Sequence, residues 1–355
     1  MDGAGFRIGH HGRLAGAAAQ LGSGAGGRSR HDHSHPRALP TGVSSPNSGY
    51  VGRFAPSPTG ALHFGSLVAA LGSWLDARQH DGEWLLRVED LDPPREVPGA
   101  ARQQLATLSA FGLHPDREVI WQSQRSERYA EVLQGLVQQD LAFACSCSRS
   151  DLADFGQAHR CCVRPFDPNH HAIRLRVADV TLSIEDRLRG VLQQWPGRDS
   201  GDFVLRRADG PFAYQLAVVV DDADQGVSDV VRGADLLDSC ARQVLLYQSL
   251  GWTPPRYMHL PLVVDAQGRK LSKSSAAVPV DADDPVPALT AAWRVLGQAP
   301  EAAPRNGSAN AWLRAVLPHF DWRRIGQGEF LDRSLTDPPP SHESVTQSED
   351  NDQIN

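Results

Sequence analysis

His63 and Gly65 stand where a turn holding Pro56, Pro58 and Gly60 gives way to a helical pattern. A helix N-terminus presents unpaired N–H groups and the positive end of its dipole, a natural seat for a triphosphate. Gly65 lacks a Cβ, so an adenine ring could approach the backbone there. His63 could donate to a phosphate oxygen as charge builds in a transition state. Alone, the pair reads more readily as a capping or core histidine beside a turn. Much later in the chain, Gly268-Arg269-Lys270-Leu271-Ser272-Lys273-Ser274-Ser275 sets two lysines three residues apart among hydroxyls. Lysines over a nucleotide neutralise departing pyrophosphate, which lowers a barrier rather than tightening ground-state binding. Alone, this run reads as a solvated loop. Its place after Leu260-Pro261-Leu262-Val263-Val264, and its pairing with the first element, make His63, Gly65, Lys270, Ser272 and Lys273 candidates for ATP chemistry. No Gly-x-x-x-x-Gly-Lys fingerprint occurs, so a P-loop loses its usual support.

These residues need elements to hold them. Tyr50 to Ala55 reads as a short strand, 65–79 as a helix on the spacing of Leu67, Ala70, Leu71, Trp74 and Leu75, and 84–90 as a buried strand. Helices are expected at 99–111 and 126–139, so strand and helix alternate as a parallel α/β sheet requires. Residues 172–177 and 191–195 suggest short strands of an inserted subdomain spanning about 141–200. The sheet pattern returns at 203–207 and 216–222, followed by a helix around 235–250, a strand near 259–264 and a helix over 285–297. Residues 1–49, rich in Gly, Ala, Ser and His, read as a disordered extension; their His31-Asp32-His33-Ser34-His35 cluster belongs to a solvated low-complexity tail. A short helical segment is expected over 301–330, and a disordered acidic tail over 331–355.

Arg53-Phe54-Ala55-Pro56-Ser57-Pro58-Thr59-Gly60, with His63-Phe64-Gly65-Ser66, resembles the HIGH-type signature of glutamyl- and glutaminyl-tRNA synthetases. Lys270-Leu271-Ser272-Lys273-Ser274 resembles their KMSKS-type loop. The segments 87–92, 202–210, 214–222 and 231–236 are similar to further stretches of the same family, in order, from about 50 to 300. The resemblance implies an α/β fold, a Rossmann-like class I aminoacyl-tRNA synthetase catalytic core with an inserted subdomain. It implies that Arg53 and Ser57 line a glutamate pocket, that Glu89 meets the α-amino group, and that Tyr214 and Arg232 complete the amino-acid site. Arg232 would meet the γ-carboxylate with its planar fork. His63 and Lys273 would be catalytic, serving the phosphates of ATP and its Mg²⁺. Ser66, where full-length synthetases usually keep a second histidine, points to the truncated branch of the family. So does the shortage of chain after position 300, which leaves no room for an anticodon-binding domain. That branch implies transfer of glutamate to queuosine in the anticodon of tRNA(Asp). The alternatives are a synthetase charging a tRNA 3′ end, or an inactive RNA- or protein-binding paralogue.

Cys145-Ser146-Cys147 and His159-Arg160-Cys161-Cys162 are spaced as tetrahedral zinc ligands often are. The related synthetases place an aromatic hydroxyl between their cysteines, and here no tyrosine occupies that stretch. His159 is the natural substitute and Cys162 is favoured over Cys161, giving Cys145, Cys147, His159 and Cys162, with His170 and His171 in reserve. Four buried or free thiols are the other reading. Cys240 belongs to an apolar helix pattern and is expected in the core.

Charge is less decisive. The 35 basic and 42 acidic side chains give −7 overall, but six acids against Arg333 after residue 329 account for most of it. The remainder could still present a local basic surface to RNA. No apolar run approaches the roughly 18 residues that would span a bilayer, and no secretory signal opens the chain. A cytoplasmic, monomeric enzyme without a membrane partner is expected.

Overall fold

The computed structural model describes residues 49–147, 151, 167, 169–264, 279–328 and 330–331. Strand β1 (Val51–Phe54) leads through the proline turn into helix α1 (Phe64–Gln79), and β2 (Glu83–Val88) follows. Helix α2 (Ala100–Ala110), β3 (Ile120–Trp121), α3 (Ser126–Gln138) and β4 (Ala142–Cys145) come next. After β5 (Ala172–Leu175), β6 (Leu182–Asp186), β7 (Gly190–Gln194) and β8 (Val204–Arg206) stand α4 (Tyr214–Gln225), β9 (Asp229–Gly233), α5 (Cys240–Leu250) and β10 (Arg256–Leu260). The described chain ends with β11 (Val263–Val264), α6 (Pro285–Val295), α7 (Ala309–Val316) and β12 (Phe330–Leu331).

The main sheet has the order β3-β2-β1-β9-β10-β6-β7. All its pairings are parallel except the β6–β7 hairpin. Chain order reverses between β1 and β9, and the crevice beyond the carboxyl ends of strands at such a switch point is where open α/β sheets take ligands. Side chains alternate across the sheet. Phe54, Trp84, Leu86, Val231, Met258 and Leu260 enter the core cluster shared with α1, α6 and α7. Val51, Leu85, Val230 and Tyr257 enter the opposite one, shared with α3, α4 and α5. By the same alternation Arg53, Arg87, Arg232 and His259 lie on the second face. Helix α1 presses close on the first: a Cβ on Gly72 would come within 2.8 Å of Leu260 Cδ1.

Three expectations change here. Residues 216–222 are not a strand but the centre of helix α4, and every residue from Gln215 to Asp222 is buried. A helix enclosed on all sides shows no polar stripe, and Val218, Val219 and Val220 then imitate a strand. Residues 203–207 do not rejoin the main sheet, because β8 completes a small antiparallel sheet of order β4-β5-β8. Conversely the β6–β7 hairpin, placed by sequence inside the insertion, pairs with β10 in the main sheet. The stretch after residue 300 packs against the core: Trp312 meets Trp293 edge-on with ring centroids 6.1 Å apart. Residues 1–48, 265–278 and 332–355 lie outside the described residues, and with them the expectations of disorder at both ends.

Candidate active site

A cavity of about 650 Å³ opens at the switch point, lined by Arg53, Ser57, His63, Gly65, Glu89, Tyr214 and Arg232 among others. Every candidate for the amino-acid and nucleotide sites that falls within the described residues is on its wall. The turn after β1 is stapled by its neighbours. Gln104 of α2 donates to the carbonyls of Ser57 (3.1 Å) and Gly60 (2.7 Å). Glu89 N donates to Pro56 O at 3.0 Å, and Val97 N to Pro58 O at 2.9 Å. Gly60 sits at φ 151°, within the range that favours glycine.

Below the turn lies a buried charge network that sequence reasoning did not resolve into pairs. Asp222 Oδ1 accepts from Arg87 Nη1 at 2.7 Å and from Arg53 Nε at 3.2 Å, and Oδ2 accepts from Arg53 Nη2 at 3.4 Å. Asp221 accepts from Gln122 (2.8 Å), Arg125 (2.6 Å) and the Tyr129 hydroxyl (2.8 Å). Arg87 Nη2 reaches Glu89 only at ion-pair distance, 3.5 Å. Burial alone would raise the Asp222 pKa, but Arg53 and Arg87 hold it below the ordinary carboxylate value. Glu89 fares differently. Burial drives its pKa up against the pull of Arg87 and Arg53, to about 7. The signal for this network was present in the sequence: two adjacent acids inside an apolar run must be paired if buried.

Arg232 and His259 are register partners on β9 and β10. Arg232 Nε donates to His259 Nε2 at 3.0 Å, Nη1 to Gln243 Oε1 at 2.9 Å, and Nη2 to Leu236 O at 3.3 Å and Cys240 Sγ at 3.1 Å. Its guanidinium also lies 5.4 Å from the Tyr257 ring centroid. The fork is thus not open on both prongs: a carboxylate gains a bidentate hold only by displacing the weaker Nη2 contacts. Cys240 is fully buried in the second core cluster, as expected, and its Sγ also accepts from this arginine. Tyr214 opens helix α4, and burial raises the pKa of its hydroxyl.

At the other wall His63 caps α1, with Nδ1 accepting from Ser66 N at 3.2 Å. A nitrogen that accepts carries no proton, so Nε2 is the protonated one; it lies 3.0 Å from Ser66 Oγ. A Cβ on Gly65 would meet only the His63 ring, at 3.4 Å. Lys270, Ser272 and Lys273 lie outside the described residues, but both flanks of their segment are placed. Pro261, Leu262 and Val263 line the cavity on one side and Pro279 on the other, and Pro279 bridges to His63.

Of the zinc candidates, Cys145 and Cys147 are buried at the end of β4. His159, Cys161 and Cys162 lie outside the described residues. Among the described residues no three His, Cys, Asp or Glu side chains gather as a metal site, so His170 and His171 do not complete one. Ser146 Oγ accepts from Asp167 N at 2.7 Å, so the chain leaves and returns at the same point across the stretch holding the other candidates. No described helix is long and apolar enough to cross a membrane.

The family described as tRNA synthetases class I (E and Q), catalytic domain, matches residues 50–161 and 158–304. A protein of Xanthomonas campestris pv. campestris named glutamyl-Q tRNA(Asp) synthetase is 57% identical over 284 residues, 80% of this chain and 95% of its own length. One of the same name from Pseudomonas paraeruginosa is 51% identical over 282 residues, covering 78% and 96%. Among solved structures, the glutamate–tRNA synthetase of Elizabethkingia anophelis superposes with a TM-score of 0.63 at 24% identity, over 81% of this chain and 69% of that one. The glutamate tRNA ligase of Elizabethkingia meningosepticum, solved with its amino acid, gives 0.61 at 24% identity over 79% and 66%. These likenesses show the class I catalytic fold.

Proposed function

The chain belongs to the class I tRNA synthetases of the glutamate and glutamine type, a family of ligases, and from that premise we propose which substrates its cavity takes: glutamate and ATP, joined as glutamyl-adenylate, with queuosine in the anticodon of tRNA(Asp) as the acyl acceptor. The observation that carries the reading is the opposition of charges on one wall. Glu89 offers a carboxylate to an α-ammonium, while Arg53 and Arg232 offer cations to carboxylates. Arg53 spends Nε and Nη2 on Asp222, which leaves Nη1 for the cavity. Ser57 and Tyr214 line the same cavity.

The α-carboxylate oxygen of glutamate attacks the α-phosphorus of ATP. A phosphorus–oxygen bond forms, the bond to the bridging oxygen breaks, and pyrophosphate leaves. His63 Nε2, the α1 N-terminus and, from the neighbouring segment, Lys270, Ser272 and Lys273 compensate the charge that develops on the phosphates. The acyl group then passes to a hydroxyl of the acceptor, expelling AMP. The acceptor is supported by the names of relatives that match this chain over nearly their whole length.

Two assays on one preparation test the reading. Glutamate-dependent ATP–pyrophosphate exchange without tRNA is expected, as is transfer of labelled glutamate to queuosine-containing but not queuosine-lacking tRNA(Asp). Equal transfer to both would overturn the acceptor, and absent exchange would overturn the activation. The adenine seat has its own test. Gly65→Ala is expected to raise the KM for ATP about tenfold by placing a methyl where the ring lies. The melting temperature should hold, since alanine is the better helix former.

Zinc fits the described half of its ligand set: two buried thiols two residues apart, at the mouth of a stretch whose ends are tied by Ser146 and Asp167. Bound there, zinc would hold that stretch to the small sheet and take no part in the reaction. About one zinc per chain is expected by elemental analysis, falling to well under half in Cys147→Ser; a zinc-free parent protein would end this proposal.

A further inference from the structure

The contacts behind Arg232 continue away from the cavity. His259 Nε2 accepts from Arg232 Nε, so the ring proton is on Nδ1. Nδ1 donates to Asp186 Oδ2 at 2.7 Å, and His259 N donates to the same oxygen at 3.1 Å. Asp186 Oδ1 in turn accepts from the backbone of Leu188 (3.0 Å) and Arg189 (2.9 Å), so the carboxylate is fixed from both sides. All three side chains are buried: Asp186 is 3% exposed, His259 0% and Arg232 4%. Asp186 ends β6 where that strand pairs with β10, which explains why the β6–β7 hairpin belongs to the main sheet.

We propose that Asp186 and His259 are positioning residues that hold the Arg232 guanidinium in the orientation needed to select a substrate side chain ending in a carboxylate rather than an amide. The proposal rests on the reading of Arg232 as the receptor for the γ-carboxylate. The physical advantage lies in the interposed ring. A carboxylate bound directly to Arg232 would neutralise the cation and compete with the substrate for it. A neutral imidazole satisfies Nε without a charge, while Asp186, one ring farther off, balances the buried cation at a distance. The guanidinium keeps its attraction for an anion in the cavity, and its plane is set by Nε on His259 and Nη1 on Gln243. Burial holds the His259 pKa below its ordinary value against the Asp186 hydrogen bond, so the ring remains an acceptor.

The test uses the full chain, tRNA-free exchange with glutamate and with glutamine, and thermal melts. His259→Leu removes the acceptor, whereas His259→Gln returns a carbonyl oxygen near the position of Nε2. His259→Leu is expected to raise the KM for glutamate at least about tenfold and to cut the preference for glutamate over glutamine by a similar factor. The KM for ATP and kcat should each change by less than about threefold. His259→Gln should recover most of both losses. The relay is overturned if His259→Leu leaves the glutamate KM and the preference unchanged. It is equally overturned if the KM values for glutamate and ATP rise together in both variants with a common fall in melting temperature, which is the mark of a merely structural residue. A parent enzyme that exchanges pyrophosphate with some amino acid other than glutamate would instead bring down the reading of Arg232 beneath it, and the relay with it.

Discussion

Glu89→Gln is expected to cripple glutamate activation while making the protein more stable. In ATP–pyrophosphate exchange its KM for glutamate should rise by about a hundred- to a thousandfold, because deleting one charge of a buried ion pair costs roughly 2–5 kcal/mol. The unfolding free energy at pH 8 should rise by on the order of 3 kcal/mol. The stability gain follows from burial of this carboxyl, which raises its pKa to about 7 in the folded chain, against an ordinary value of 4.5. Between those two values the folded state keeps a proton that the unfolded state has released. Stability therefore falls as pH rises through that window and stays at its lowered level above it. The glutamine variant has no proton to lose and no such slope, so it should overtake the parent as pH rises and match it in acid. A variant that melts below the parent at pH 8, or keeps the parent's KM, would remove Glu89 from this role.

The same shift sets the pH dependence of the parent enzyme. Only the ionised carboxylate attracts the α-ammonium of glutamate, so kcat/KM for glutamate should climb about tenfold per pH unit in acid and level off above about pH 7. On the proposed reading, the site keeps for its substrate a carboxylate whose ionised form burial disfavours. Arg87, which stabilises it, makes only a 3.5 Å contact to Glu89 and leaves Nε and Nη2 without a hydrogen bond.

The alternation of β1, α1 and β2 was legible in the sequence because β1 and β2 are short apolar runs bounded by turn residues, and the apolar residues of α1 recur at Leu67, Ala70, Leu71, Trp74 and Leu75. The structure then brings Arg53, Ser57, His63, Gly65, Glu89, Tyr214 and Arg232 to one cavity. What the sequence hid was whatever is buried on every side or paired across long separations. In helix α4 the consecutive buried residues Leu216 to Val220 read as a strand. The return of β6 to β10 is tied by Asp186, with Arg187 N donating to Tyr257 O beside it, and no local pattern distinguishes Asp186 from a surface acid. His259 stands between Met258 and Leu260, where alternation alone makes it a residue of the opposite face. Its partner Arg232 is 27 positions away, and only the parallel register joins them.

Asp222 offers the second large effect, and it separates fold from function by choice of substituent. Asp222→Ala leaves Arg53 and Arg87 buried without their shared counter-ion, and breaking a buried pair from one side costs roughly 3–5 kcal/mol. Much of the protein's margin is of that size, so a large fall in the denaturation midpoint is expected. Asp222→Asn should retain the fold, because its carbonyl oxygen can still accept from Arg87, which lies 2.7 Å from Oδ1. It removes a negative charge that helps to raise the Glu89 pKa and unburdens the two arginines that lower it. The rising limb of kcat/KM for glutamate should therefore move to lower pH. A carboxylate that merely braced the sheet would change the melting curve and leave that limb where it was. An acid shift with an intact fold is the outcome only a charge coupled to Glu89 produces.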